Sequence, residues 1–279
     1  MQIKEEILGI NWESETLPTL PTIAHKLIFA AGDGEAGVSE ISKIIEQDPS
    51  LALKVLKAAN SAFYALNLEI TSIKHATVLL GMDEVKRLAI GALLSSSFMS
   101  VSKEVAKEAE GLWKHLLATA LFAQDLQQGS EQDPDLYTLG LLHDLGWLVL
   151  MFEYPDIFKK IAHWEMTLSQ AENALGIDHQ LWGAKLAEQW ELPEPFQIVN
   201  FRHHYPCREL ASPPYLFQIH IANYLANKSG YTAIGPDSTS LDLRALKGLG
   251  LDEETIIEME QACQNDAERI ESLWRAMTG

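Results

Sequence analysis

With 279 residues, 47% of them hydrophobic, the chain is long enough to bury a sizeable core in one large or two smaller lobes. Lys plus Arg total 21 against 39 Asp plus Glu, a formal net charge of −18, so the global field opposes a phosphate backbone and disfavours nucleic acid as a partner. The two cysteines, Cys207 and Cys263, stand in no CxxC or finger spacing, which excludes a cysteine zinc site and a disulfide scaffold and fits a reducing, cytoplasmic setting.

Glycine and proline punctuate the chain and period-2 alternation is nowhere sustained, so the expected elements are helices. Thr16-Leu17-Pro18-Thr19-Leu20-Pro21 reads as an extended lead-in, because a residue before proline is pushed out of the helical region. A helix follows from about Thr22 to Ala31, stopped by Gly32-Asp33-Gly34. Ser39 is expected to cap a short helix with Ile41, Ile44 and Ile45 on one face. Asp48-Pro49 marks a restart, Asp as cap and Pro at the first helical position, with Leu51, Val55, Leu56 and Ala59 as the apolar stripe. Ser72 opens a helix with Ile73, Ala76, Leu79 and Leu80 apolar, closed by Gly81, and Asp83 opens the next, running towards Phe98. The charged stretch Ser100 to Glu110 reads as a helical connection between lobes.

Beyond it, a helix is expected over Leu112 to Leu126, and Asp133-Pro134 starts a helix carrying His143 and Asp144. Pro155, Gly176 with Asp178, Pro193 and Pro195, Pro213 and Pro214, and Gly230 separate the later helices. Gly230 to Ser240 reads as a loop, and Asp252 to Met277 as an acidic amphipathic helical stretch. The fold expected is all-α, two helical lobes over residues 1–105 and 106–279. Met1 to Glu6 lacks the basic and apolar regions of a leader, and Leu139 to Phe152 is too short and too polar to cross a membrane.

Nine histidines are the sequence's most specific feature. Within Leu139-Gly140-Leu141-Leu142-His143-Asp144-Leu145-Gly146, an imidazole and a carboxylate interrupt an apolar run, and burying either unpaired costs several kcal/mol. Gly140 and Gly146 leave room for a neighbouring helix. His115 sits in another apolar stretch, His179 heads a helix after Asp178, and His203-His204 closes one, where the helix dipole also favours an imidazolium. Imidazoles with a carboxylate suit Fe, Mn, Ni or Zn. The simpler reading of the pair is a buried His–Asp hydrogen bond tying helices together. His25, His75 and His163 read as ordinary helix residues, and His220 as intermediate, sharing a face with Asn223.

A set of motifs in order resembles the HDOD family, the HD-related output domains of bacterial signalling proteins, over roughly residues 15–228. They are Leu17-Pro-Thr-Leu-Pro21, Gln47-Asp-Pro-Ser-Leu51, Lys57-Ala-Ala-Asn-Ser-Ala-Phe63, Ser72-Ile-Lys-His-Ala-Thr-Val-Leu-Leu-Gly81, Leu112-Trp-Lys-His115, Gly140 to Gly146, Gly176-Ile-Asp-His179 with Gly183, and Trp190-Glu-Leu-Pro193. The resemblance implies an all-helical fold with an HD-like second lobe and a role in bacterial signal transduction. It further implies that His115, His143, Asp144, His179, His203 and His204 match the metal ligands of HD and HD-GYP phosphodiesterases, where metals polarise a phosphoryl oxygen and acidify a water. Asp144 is then the candidate catalytic group. The pattern departs at Asn223, where the HD family has its last aspartate ligand, at Trp147, where HD-GYP proteins commonly have lysine, and at Tyr205-Pro206-Cys207, which replaces Gly-Tyr-Pro.

Asn223 offers a carbonyl oxygen without charge, so it is a weak candidate ligand. With Asp144 as the one anionic ligand, two divalent ions leave roughly +3 in a low-dielectric pocket. That favours one held ion, or two with a hydroxide or phosphate-like anion. The function expected is therefore a regulatory HDOD protein that binds a signalling-protein partner or a phosphorylated small molecule and carries an HD-type metal site. The alternative is a metal-dependent phosphohydrolase acting on a nucleotide or cyclic dinucleotide. The N-terminal lobe is expected to supply no catalytic residue, its Asn60, Ser61 and His75 serving as caps or surface groups of a recognition face.

Overall fold

Side-chain caps start several of the helices, among them those that follow Asp48, Ser72, Asp135, Asp178 and Asp242. In the computed structural model, which describes residues 17–30, 38–66, 68–127, 134–163, 168–207, 212–234 and 240–278, helices and turns are joined by short irregular segments, and no strand occurs among the described residues. The helices are α1 (Thr22–Phe29), α2 (Val38–Glu46), α3 (Pro49–Ala59), α4 (Ile73–Leu80), α5 (Met82–Phe98), α6 (Ala106–Asp125), α7 (Leu136–Leu141) and α8 (Gly146–Glu153). They continue as α9 (Pro155–Ala162), α10 (Leu168–Leu175), α11 (His179–Gln189), α12 (Glu194–Arg202), α13 (Pro214–Lys228), α14 (Leu243–Gly248), α15 (Glu253–Asn265) and α16 (Ala267–Thr278). The expected all-α class holds. The chain divides into two units, one made of the described residues of Leu20–Ser100 and Asn265–Gly279, the other of those of Met1–Thr19 and Val101–Gln264.

In the first unit, Asp48 caps α3 as its sequence indicates, its Oδ1 accepting from Ser50 N at 2.9 Å and Leu51 N at 3.2 Å. Ser72 does the same for α4, and Gly81 ends that helix at φ 91, a left-handed conformation that glycine adopts without strain. The expected stripe of α4 needs one correction. Leu79 is exposed, and Thr77 takes the inward place by donating its hydroxyl to Ile73 O at 2.8 Å. Asn60 is spent on its own loop, its side chain bonding both Ile70 N and Ile70 O at 2.8 Å.

The C-terminal stretch differs from the single extension expected with the second lobe. It breaks at Asp266, and α16 buries Ile270, Leu273, Trp274 and Met277 against α3 and α5. Apolar complementarity thus places the last helix with residues far upstream in the chain.

In the second unit, α6 packs against α7 and α13, and α11 against α8 and α12. Asp135, not Asp133, caps α7, accepting from Thr138 N at 3.2 Å; Asp133 lies outside the described residues. Trp190 donates its indole N–H to Pro18 O at 2.9 Å, tying the extended lead-in to this unit. Leu136–Glu153 is apolar and long enough to match a membrane span, but 89% of it is buried inside the protein, where it serves the core.

Candidate metal centre

One turn is approached closely by two neighbouring helices. Contrary to the helix expected there, His143 and Asp144 occupy the turn 142–145 between α7 and α8. Asn200 of α12 holds that turn at both ends, its Oδ1 accepting from Leu145 N at 3.0 Å and its Nδ2 donating to Leu142 O at 2.7 Å. A Cβ on Gly146 would lie 1.9 Å from the carbonyl oxygen of His179, so α11 can reach the turn only because residue 146 has no side chain. His179 begins α11 behind its cap Asp178, while His203 ends α12 and His204 follows it. His115 enters from the middle of α6.

These side chains converge. His115 Nε2 is 3.4 Å from His143 Nε2 and 3.8 Å from Asp144 Oδ2, which is itself 3.4 Å from His143 Nε2. On the other side, Asp144 Oδ1 is 3.4 Å from both His179 Nε2 and His203 Nε2, and His204 Nε2 is 3.1 Å from His179 Nε2. Two triads result, His115–His143–Asp144 and His179–His203–His204, the ligand atoms within each lying within 4.8 Å of one another. Four ligands at about 2.1 Å in a tetrahedron stand about 3.4 Å apart, and the close pairs here span 3.1–3.8 Å around that value. Asp144 turns one oxygen to each triad.

Tautomers follow from the outer partners. The Nδ1 atoms of His115, His143 and His203 face the carbonyls of Tyr231 (2.8 Å), Gly140 (2.7 Å) and Val199 (3.1 Å), which can only accept. Nδ1 therefore carries the proton and Nε2 presents its lone pair inward. His179 Nδ1 is held in the same sense by Glu172 Oε1 at 2.5 Å. Lone pairs thus face lone pairs and a carboxylate, and Asp144 Oδ1 and His203 Nε2 are buried without a hydrogen-bond partner. A divalent cation is the group that satisfies such a set, so the residues present fit one.

The electrostatics agree at His143, Asp144 and His204 and run the other way at His179. Burial pushes the His143 pKa down to about 3, so that ring is neutral at physiological pH. Burial would raise the Asp144 carboxyl, but His143 and His203 outweigh it and hold it well below the usual carboxylate range. Burial and the neighbouring His203 and His179 lower His204, whereas at His179 burial is outweighed by Glu172 and the pKa rises.

Other histidines stay outside. His25 stacks on Phe29, and His163 pairs with Glu108 at 2.8 Å. His220 supports the site from behind, its Nδ1 bonding His203 O at 2.7 Å and its Nε2 accepting from Asp242 N at 3.0 Å. Asn223, the weak ligand candidate, is buried with its Oδ1 accepting from Asn227 Nδ2 at 2.9 Å, and its Nδ2 has no partner. Its side-chain bond is thus to its own helix and not to the histidine cluster. Glu172 and Asn200 were not singled out by sequence. The signal available for Glu172 was a carboxylate seven residues before a buried histidine that needs an outer partner.

The HDOD domain family matches residues 17–206. The chain belongs to this family. An uncharacterised protein of Treponema pallidum (strain Nichols) is 27% identical over 218 residues, covering 75% of this chain and 42% of that protein, so the chain spans less than half the length of this curated relative. Among solved structures, an HDOD domain protein of unknown function from Geobacter sulfurreducens matches with a TM-score of 0.80 at 22% identity, over 99% of this chain and 97% of its own. A candidate signal transduction protein from Marinobacter aquaeolei VT8 matches with a TM-score of 0.74 at 23% identity, over 100% of this chain and 64% of its own. At these identities the structural matches speak for the fold.

Proposed function

We propose that this HDOD chain is a signalling module whose His/Asp centre holds divalent transition-metal ions and which acts by binding a signalling protein or a phosphorylated small molecule. The observation that carries this reading is Asp144, whose two oxygens each face a separate set of imidazole nitrogens at 3.4–3.8 Å. His115, His143 and Asp144 would hold one ion, and His179, His203, His204 and the second oxygen of Asp144 another. Burial supports regulation over turnover: His115, His143 and His203 are 0% exposed, Asp144 3% and His179 2%. Trp147, fully buried, stacks on His179 at 4.7 Å and closes that flank. A ring stacked there has no charge to offer a transition state, whereas a lysine would.

A second reading, metal-dependent phosphoester hydrolysis, is favoured by His204, which is half-buried and so gives the cluster an edge towards solvent. A bound divalent ion supplies Lewis acidity for a phosphoryl oxygen and lowers the pKa of water. In that reading Asp144 orients both sides of the centre and His204 borders the substrate.

Metal analysis of protein purified without added metal, followed by hydrolysis assays on bis(p-nitrophenyl) phosphate with Mn or Fe, separates the readings. Bound metal with background hydrolysis is expected. Metal-dependent turnover lost in Asp144→Asn would favour the second reading, and absence of bound or bindable metal would overturn both.

A further inference from the structure

One carboxylate outside the two triads meets the cluster. Glu172, on α10, uses a single oxygen, Oε1, to accept both the backbone N–H of His179 at 2.9 Å and its Nδ1–H at 2.5 Å. The opposite control on the same ring is Trp147, stacked nearly parallel to it at 12°. His179 is thereby held in orientation by an aromatic face and in tautomer by a carboxylate. The His115, His143 and His203 rings differ: each leans on a neutral backbone carbonyl.

We propose that Glu172 is the positioning residue of the second ion subsite, supplying through His179 the negative charge that lets His179, His203, His204 and Asp144 Oδ1 hold an ion beside the first. The inference rests on the reading that the cluster binds metal. Its physical basis is charge. Two divalent ions against Asp144 alone leave roughly +3, and a second carboxylate one imidazole away reduces this to about +2, which a single phosphate-like dianion can close. A carboxylate behind an imidazole also makes its Nε2 a stronger donor than a carbonyl does. The two subsites are then unequal: the first is made of neutral imidazoles with Asp144, and the second depends on a charge that sits outside the ligand set.

The test is a titration of Co²⁺ into the metal-free full chain, read by visible absorption and calorimetry, for the wild type, Glu172→Gln, Glu172→Asp and His115→Ala. The wild type is expected to take two ions. Glu172→Gln keeps a hydrogen-bond acceptor but no charge, and should weaken the second ion by roughly 10–100-fold while leaving the first unchanged; Glu172→Asp should recover part of the loss. His115→Ala should weaken the first ion. Circular dichroism melting of the metal-free forms checks that the variants fold. Two ions bound equally well by Glu172→Gln and the wild type would overturn the role of Glu172 and leave the metal centre standing, as would equal weakening of both ions. A wild type that binds one ion, unaffected by Glu172→Gln, would do the same. A wild type that binds no Co²⁺ would overturn the metal centre and the proposal with it.

Discussion

Asp144 Oδ1 and His203 Nε2 stand 3.4 Å apart in the interior, an anion facing an imidazole lone pair, and neither atom has a hydrogen bond. Proteins seldom leave such groups unsatisfied, because each costs about 1–3 kcal/mol and more when charged. The arrangement repeats on the other oxygen, where His143 and His115 present their lone pairs. Metal-free, the centre leaves these atoms unsatisfied, and a divalent ion held there would satisfy them.

Asp144→Asn follows directly. The substitution removes the one carboxylate within the triads, so metal content should fall to background. In a thermal-shift measurement, an ion at 100 times its dissociation constant stabilises the wild type by about 2.7 kcal/mol. The variant should show no such gain. A metal-induced gain retained in the variant would contradict the bridging role.

Acid should destabilise the metal-free protein. Burial depresses His143 to about 3 and lowers His204 and His220 as well. A depressed folded-state pKa gives stability that is present above the unfolded value near 6.5 and lost as pH falls towards the folded value. His179, raised by Glu172, runs the other way, its contribution being present below pH 6.5 and lost as pH rises through its folded value. Three depressed groups oppose one raised group, so urea midpoints of chelated protein should fall between pH 6.5 and about 3. A midpoint flat or rising on acidification through that window would contradict the neutral assignment of these rings.

Sequence made the helical class and the convergence legible for different reasons. Caps such as Asp48 and Asp178 act within a few residues, so they can be read locally, and the order of His115, His143-Asp144, His179 and His203-His204 matched a known pattern. The local reading misled where two signals competed. Asp133-Pro134 looked like a helix start, but Asp135 supplies the cap, and the apolar run around His143 reads as helix although residues 142–145 form a turn held by Asn200. The partners of the histidines were hidden for a simpler reason. Backbone carbonyls leave no trace in residue type, and Glu172 looks in sequence like one of many surface acids. The docking of α16 on α3 and α5 depends on contacts between residues some 200 positions apart in sequence, as Ser95 Oγ to Met277 O shows with |i−j| of 182.

His220 should matter without touching a ligand set. Its two nitrogens join His203 O to Asp242 N, which fixes the end of α12 where His203 turns inward. His220→Leu leaves both backbone groups unpaired and should cost about 1–3 kcal/mol in urea unfolding. Outer partners of a ligating histidine typically affect metal affinity by about 10–100-fold, and a loss in that range is expected at the His203 side. A variant with unchanged unfolding and unchanged Co²⁺ titration would remove His220 from the support of the centre.

Gly146→Ala tests the geometry most directly. The added Cβ would fall 1.9 Å from His179 O, 2.6 Å from His179 C and 2.8 Å from His179 Cα, all of them backbone atoms at the start of α11, so no rotamer change relieves the clash. Either α11 or the turn carrying His143 and Asp144 must shift. Overpacking of this kind costs about 1–3 kcal/mol and sometimes more, and each kcal/mol lowers the melting midpoint by roughly 2–4 °C for a unit of 150–250 residues. The displacement also separates His179 Nε2 from Asp144 Oδ1, now 3.4 Å apart, so ion binding at that side should weaken with the stability. A helical surface glycine replaced by alanine normally gains stability of order 1 kcal/mol, and Gly111, whose added Cβ would meet nothing within 4 Å, serves as the control. Gly146→Ala is expected to lower both the melting midpoint and Co²⁺ affinity while Gly111→Ala lowers neither. If the two variants behave alike, the close approach of α11 to the His143–Asp144 turn is not what positions His179.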